Sequence, residues 1–242
     1  MKLDILIFAA HPDDAELSMG GTISSLTSRG FKVGIIDMTA GELGTRGSKK
    51  IRAQESRLAS EILKITVREN LKIKDGSIYE SDFTRKKVVE KIRKYKPEFI
   101  FAPYFNDRHP DHISASKIVK SAMFFAGVAK VKTFDKKNEQ KHFRPKKLFY
   151  YMQSYPFEPT FVIDISEHFE TKMKSVFAYK TQFYNPESKE PTTFISDPKF
   201  VKYLEARSRF YGFQIGKEYG EAFYCEELVE FDIINVLQKE KK

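Results

Sequence analysis

Two short clusters of the sequence hold residue types that could do chemistry together: His11-Pro12-Asp13-Asp14 and, far along the chain, His109-Pro110-Asp111-His112. Imidazole and carboxylate hold divalent transition metals, and a catalytic zinc site keeps three protein ligands and a fourth position for water. His11, Asp14 and His112 supply three. Zinc lowers the pKa of that water toward about 7, and a carboxylate beside the metal, not ligating it, is then needed as general base. Asp13 is the candidate base, and His109 the complementary acid or the group that stabilises an oxyanion. Either cluster alone reads equally well as a capped turn; two clusters that converge are harder to read that way. Asp111 reads as the N-cap of the next helix, and His142 and His168, with no partner motif, as surface or helix-start residues.

The elements around these clusters decide whether they can meet. Leu3 to Ala10 is an apolar run too short to span a membrane, which reads as a buried strand ending at His11. From Glu16 to Arg29, Leu17, Met19, Ile23 and Leu26 recur at helical spacing. Gly20-Gly21 lies inside that helix, so it is not a dinucleotide fingerprint, and no Gly-x-Ser-x-Gly elbow is present. Phe31 to Met38 is a second strand, followed by a glycine-rich loop over 39–48 and a helix over 50–63 with Ile51, Leu58, Ile62 and Leu63 inward. A strand over 66–71, a turn at Asp75-Gly76, a helix over 82–95, a strand over 99–102 and a helix over 112–125 follow. In the doubly wound order 3-2-1-4-5, strands one and four are neighbours whose helices leave to opposite faces, and ligands bind in the crevice between their C-terminal ends. Both clusters leave those ends.

Beyond an irregular basic stretch over 127–147, strands are expected over 148–153 and 161–165, helices over 168–183 and 198–211, and a solvated tail over 238–242. The fold class is therefore α/β: a Rossmann-like, mostly parallel sheet with helices on both faces, in a single domain over 1–242. Its core runs to about residue 165, with a C-terminal helical extension over about 166–242.

Composition narrows the function. A hydrophobic content of 41% supports one substantial core, and charges interrupt every apolar stretch before membrane-spanning length. Asp4 breaks the N-terminal apolar run and no small-residue cleavage site follows, so the protein reads as cytoplasmic. The lone Cys225 excludes an intramolecular disulfide and any Cys-rich zinc knuckle. The net charge of +9 is spread along the chain without a groove-reading motif, which argues against nucleic acid and suits an anionic small substrate.

Ala10-His11-Pro12-Asp13-Asp14-Ala15-Glu16 with Gly20-Gly21-Thr22, and Arg108-His109-Pro110-Asp111-His112, resemble the two signatures of the zinc-dependent N-acetylglucosamine deacetylases of the PIG-L/LmbE type. Residues 39–47, Arg52-Ala53-Gln54-Glu55, Phe149-Tyr150-Tyr151-Met152, residues 182–186 and 219–223 resemble the bacillithiol-biosynthesis branch of that family. The resemblance implies removal of the acetyl group from N-acetylglucosaminyl malate, or else from another N-acetylglucosamine conjugate or a chitin fragment. It implies zinc on His11, Asp14 and His112, a donor set that Fe(II) can also occupy, with Asp13 as base, His109 assisting the tetrahedral intermediate, and Arg52 and Asp75 holding the sugar. It also implies a homo-oligomer, hexamers being common among relatives. Arg46 and Arg108 are candidates for the malate carboxylates, since guanidinium binds carboxylate bidentately; Arg144 is a candidate active-site contributor.

Overall fold

Five consecutive buried apolar residues make Ile5–Ala9 an interior strand, β1, of a seven-stranded sheet in a computed structural model that describes residues 1–230. It pairs in parallel with β2 (Val33–Asp37) on one side and β4 (Phe99–Pro103) on the other. Beyond β2 lies β3 (Val67–Asn70), and beyond β4 lies β7 (Lys147–Tyr151), both also parallel. The order expected for the first four strands is the observed one, and β7 stands where the fifth was placed. A small hairpin of β5 (Phe134–Asp135) and β6 (Asn138–Glu139) interrupts the stretch read as irregular. The expected tail over 238–242 lies outside the described residues.

Strand alternation splits the core in two. Leu6 and Phe8 of β1 face α3 (Asp82–Tyr95) and α4 (Pro110–Ala126), packing with Val88, Val89, Ile92 and Ile118. Ile5 and Ile7 face α1 (Asp14–Ser28), packing with Met19 and Ile23. Helices on both faces bury the parallel strands, which is why those strands read as continuous apolar runs. α2 (Lys49–Ile62) departs from the expectation: Ile51 and Leu58 are exposed, while Arg52, Glu55, Ser56 and Ala59 are buried. The inward stripe of α2 is polar because its partners are main-chain and carboxyl groups. Glu55 accepts the Thr181 N–H and hydroxyl at 2.7 and 2.9 Å, and Arg68 donates to the Ser56 carbonyl.

The C-terminal third contributes more than helices. α5 (Phe169–Phe177) is shorter than expected, α6 (Pro198–Gln214) runs slightly longer, and Gly220–Tyr224 forms a strand, β9, that no alternation announced. β9 lies antiparallel between β7 and β8 (Phe161–Asp164), so four of its five residues are buried and the period-two pattern vanishes. Its Glu221 meets a break in α1. Met19 leaves helical geometry at φ −143 and ψ 24, and Glu221 accepts the N–H groups of Gly21 and Thr22 at 3.1 and 2.7 Å. Lys172 of α5 pairs with Glu221 at 2.6 Å, both fully withdrawn from solvent. Among the described residues no helix is long and apolar enough to cross a membrane.

Candidate active site

The C-terminal ends of β1 and β4 bring the two clusters together. Asp13 caps α1 and Asp14 opens it, directly after β1. After β4 the chain turns through Asp107, which accepts the His109 N–H at 2.9 Å, and enters α4 with Pro110 in its first turn. His109, not Asp111, is the N-cap of α4: its Nδ1 accepts the Asp111 N–H at 3.2 Å. Asp111 is thereby released from capping, and its carboxylate accepts the Gly76 N–H at 2.8 Å and faces His11 Nε2 at 3.4 Å.

Three imidazoles and several carboxylates share the floor of the crevice. The rings of His11, His109 and His112 lie 4.7 to 5.4 Å apart. One nitrogen from each can come within 4.8 Å of the others, and the same holds for His11 with Asp75 and Asp111. The remaining bonds distinguish these groupings. His11 turns Nε2 to Asp75 at 3.1 Å and to Asp111, leaving Nδ1 facing Asp14 Oδ2 at 3.7 Å. His112 turns Nδ1 to Asp107 at 2.8 Å, leaving Nε2 facing Asp14 Oδ1 at 3.3 Å. His11 and His112 thus each have one nitrogen on a supporting carboxylate and the other facing Asp14, the arrangement that orients histidines toward a metal. His11, Asp14 and His112 could hold a divalent cation between them, with Asp75, Asp111 and Asp107 behind.

Charge balance in the site follows the same geometry. Burial disfavours the charged form of His11, yet Asp111, Asp75 and Asp14 outweigh it and push its pKa up to about 10. Burial likewise opposes His112, but Asp14 and Asp107 raise it to about 9. Asp14 is buried too, and His112 and His11 hold it well below the usual carboxylate range despite that. Asp13 behaves in the opposite way: burial pushes it up to about 7, opposed by the Arg52 guanidinium at 3.3 Å. Its backbone sits at φ 115, in the left-handed region that a non-glycine residue occupies only at a cost. Burial and the two other histidines lower the pKa of His109 and favour its neutral ring, in which Nδ1 accepts a hydrogen bond and Nε2 carries the proton.

The crevice opens into a cleft of about 1130 Å³ lined by His11, Asp13, Asp14, Arg52, Asp75, Arg108, His109 and His112. Gly41, Leu43, Gly44 and Thr45 of the glycine-rich loop form one side. Arg52 donates to the Pro12 carbonyl at 3.1 Å as well as to Asp13, and Asp75 has both oxygens occupied, one by His11 and one by the Leu43 N–H. Arg108 is exposed at the mouth and lies 4.3 Å above the Phe194 ring. Two arginines anticipated for the substrate are placed elsewhere. Arg46 is buried outside the lining, with Nε 3.7 Å from Glu190 and further bonds to the Phe183 carbonyl and Ser188. Arg144 lies against Phe124 near the C-terminal end of α4, whose length of about 25 Å separates it from His112 at the other end. Guanidinium chemistry made Arg46 plausible; chain position alone carries no information on which face of the sheet edge either arginine reaches.

Comparison with known proteins fits this site. The profile of the GlcNAc-PI de-N-acetylase family, PIG-L, matches residues 6–123, which contain both clusters. A conserved protein from Thermus thermophilus is 35% identical in sequence and superposes with a TM-score of 0.86, covering 96% of this chain and 98% of that one. The chain belongs to the PIG-L family. Among PIG-L relatives, diacetylchitobiose deacetylase of Thermococcus kodakarensis is 28% identical over 233 residues, 90% of this chain and 80% of the relative. A probable N-acetyl-alpha-D-glucosaminyl L-malate deacetylase 2 of Bacillus anthracis is 28% identical over 173 residues, 60% of this chain and 76% of the relative.

Sequence reasoning missed several lining and supporting residues of this PIG-L site. Asp107 was legible in principle, two residues before His109 where a carboxylate closes a turn on its own backbone. Gln153, Phe194, Phe200, Tyr203 and Arg207 had no signal, because they reach the cleft from beyond β7 and from α6 and the loop before it only through the tertiary fold.

Proposed function

We propose that the protein is a divalent-metal-dependent hydrolase that removes the acetyl group from an N-acetylglucosamine unit of a short saccharide. The observation that carries this reading is the pair of carboxylate-backed imidazoles turned on Asp14 beside a buried Asp13 whose pKa is close to neutral. His11, Asp14 and His112 would hold the cation, which would supply Lewis acidity and make a nearby water easier to deprotonate. Asp13, buried beside these residues with its pKa raised above the usual carboxylate range, takes the proton of the attacking water. His109 offers its Nε2 proton to the oxygen that gains charge as the acetyl carbon becomes tetrahedral. The proton on Asp13 then goes to the departing nitrogen as the C–N bond breaks, giving acetate and a free amine. Arg52, bonded to Asp13, keeps that carboxyl from being neutral throughout the working range.

The saccharide rather than the malate conjugate is favoured by the wider coverage of the diacetylchitobiose deacetylase relative and by a cleft much larger than one sugar ring. The malate reading keeps one support, the exposed Arg108 at the mouth, and loses Arg46, whose guanidinium is engaged by Glu190, Ser188 and Phe183. Acetate release by chelated, zinc-reconstituted protein should be compared on N,N'-diacetylchitobiose, N-acetylglucosamine and N-acetylglucosaminyl malate. A kcat/KM highest on the disaccharide supports the proposal; a preference for the malate conjugate overturns its substrate, and no zinc-dependent release from any of them overturns its chemistry.

A further inference from the structure

In a continuous α1, the Leu17 carbonyl and the Gly21 N–H would bond to each other. At the Met19 break each has a side-chain partner from the C-terminal third: Arg207 Nη2 donates to the Leu17 carbonyl at 3.2 Å, and Glu221 accepts from Gly21. The same guanidinium donates through Nη1 to the Gln153 carbonyl at 2.6 Å. Gln153 in turn accepts the Ser18 hydroxyl at 2.7 Å, and the next N–H, of Ser154, is donated to Asp107 at 2.8 Å. Asp107 is the carboxylate on His112 Nδ1.

Arg207 therefore touches two chains of bonds at once. One leads through Leu17 to the first turn of α1, which carries Asp14; the other leads through Gln153, Ser154 and Asp107 to His112. We propose that Arg207 is a positioning residue that holds these two elements in register across the crevice, with Glu221 and Lys172 securing the far side of the helix break. The inference rests on the metal-site reading given above. It assigns a role to α6, which lies outside the matched stretch over 6–123 and whose side chains contribute no ligand to the cluster. A guanidinium suits the task because its planar fork reaches two carbonyls at once, which a lysine ammonium on a single stem does less well.

The test uses full-length protein in four forms: wild type, His11→Ala, Arg207→Met and Arg207→Lys. Each is stripped with chelator, checked by circular dichroism and thermal melting without metal, and titrated with zinc against a chromophoric competitor. Arg207→Met should keep its fold and bind zinc ten- to a hundredfold more weakly, the usual effect of removing support behind a ligand. Arg207→Lys should fall between Arg207→Met and wild type, and it decides the matter if Arg207→Met does not fold. In turnover, kcat should fall with zinc saturating. Zinc affinity equal to wild type in the folded variants overturns the proposal, whether melting is lowered or not. So does a change confined to KM, since Arg207 lines the cleft and that result would make it a substrate contact. If His11→Ala binds zinc like wild type, the metal-site reading itself fails, an outcome the same titration separates from failure of the brace.

Discussion

Asp13 carries the sharpest conflict between stability and chemistry at the level of single residues. Its carboxyl is buried, its backbone is in the left-handed region, and its pKa lies near 7 rather than in the usual range. A group whose folded pKa is raised above its unfolded value favours the fold below the unfolded pKa, and that contribution is lost as pH rises through the folded one. For Asp13 the window runs from about pH 4 to about pH 7. Asp13→Asn removes the penalty, so the metal-free variant should melt at a higher temperature than wild type at about pH 8, with little difference near pH 4. Its kcat should nevertheless fall by about 10² to 10⁴, with metal retained, as expected on losing a general base. Unchanged turnover would remove Asp13 from that role. His11 and His112 make a second prediction: both are held protonated in the metal-free site, so zinc binding near pH 7 must displace protons. Titration in weakly buffered solution should release about two protons per zinc, and affinity should fall as pH is lowered.

Among the elements, α1 is the one whose sequence and structure disagree most usefully. Glycine inside a helix ordinarily costs about 1 kcal/mol relative to alanine, so Gly21→Ala would be expected to stabilise. Here a Cβ on Gly21 would lie 2.7 Å from two carbons of Ile165, because α1 runs hard against the residue that follows β8. Gly21→Ala should therefore destabilise by about 1 to 3 kcal/mol in urea unfolding, the range for overpacking. Gly20→Ala should cost less, since its new carbon would meet Lys172 Cγ at 3.1 Å, a longer approach than the Ile165 contacts at Gly21. A gain in stability at Gly21 would show that α1 and Ile165 are not packed this closely.

At the scale of the whole molecule, Arg68 ties the sheet to the helices beneath the site. From β3 it bonds Asp37 at the end of β2 through Nε and Nη2 at 2.8 and 2.9 Å, and Glu16 in the first turn of α1 at 2.5 Å. Tyr179, after α5, donates to the same Glu16 oxygen at 3.0 Å. One guanidinium thus neutralises two carboxylates withdrawn from solvent, and burial still raises the pKa of Asp37. Removing one partner of such a network leaves uncompensated charge, so Arg68→Met should lose about 3 to 5 kcal/mol of stability near pH 7. In the variant Asp37, already raised by burial, would lose the guanidinium that opposes that rise. The deficit should therefore be smallest in acid and grow toward neutral pH, a trend that chemical denaturation at several pH values would read.

The sequence by itself determined the parallel half of the fold and the convergence of the two clusters. Buried parallel strands must be continuous apolar runs, and the crossover rule then brings the residues after β1 and β4 to one crevice. The residue types at those ends also limited the chemistry, because His and carboxylate without cysteine leave few choices for a metal. Only the tertiary structure decided what stands behind and around that center. β9 was hidden because a strand paired on both sides and buried on both faces has no alternation to detect. Asp111 looked like a cap because its use depends on Gly76 and His11, which the chain brings from elsewhere. Arg46 and Arg144 looked like substrate ligands because a long cation's target is set by direction, and direction belongs to the packed molecule. The inward polar stripe of α2 and the reach of Arg207 have the same cause: hydrogen bonds between distant segments leave no period in the sequence, whereas hydrophobic burial does.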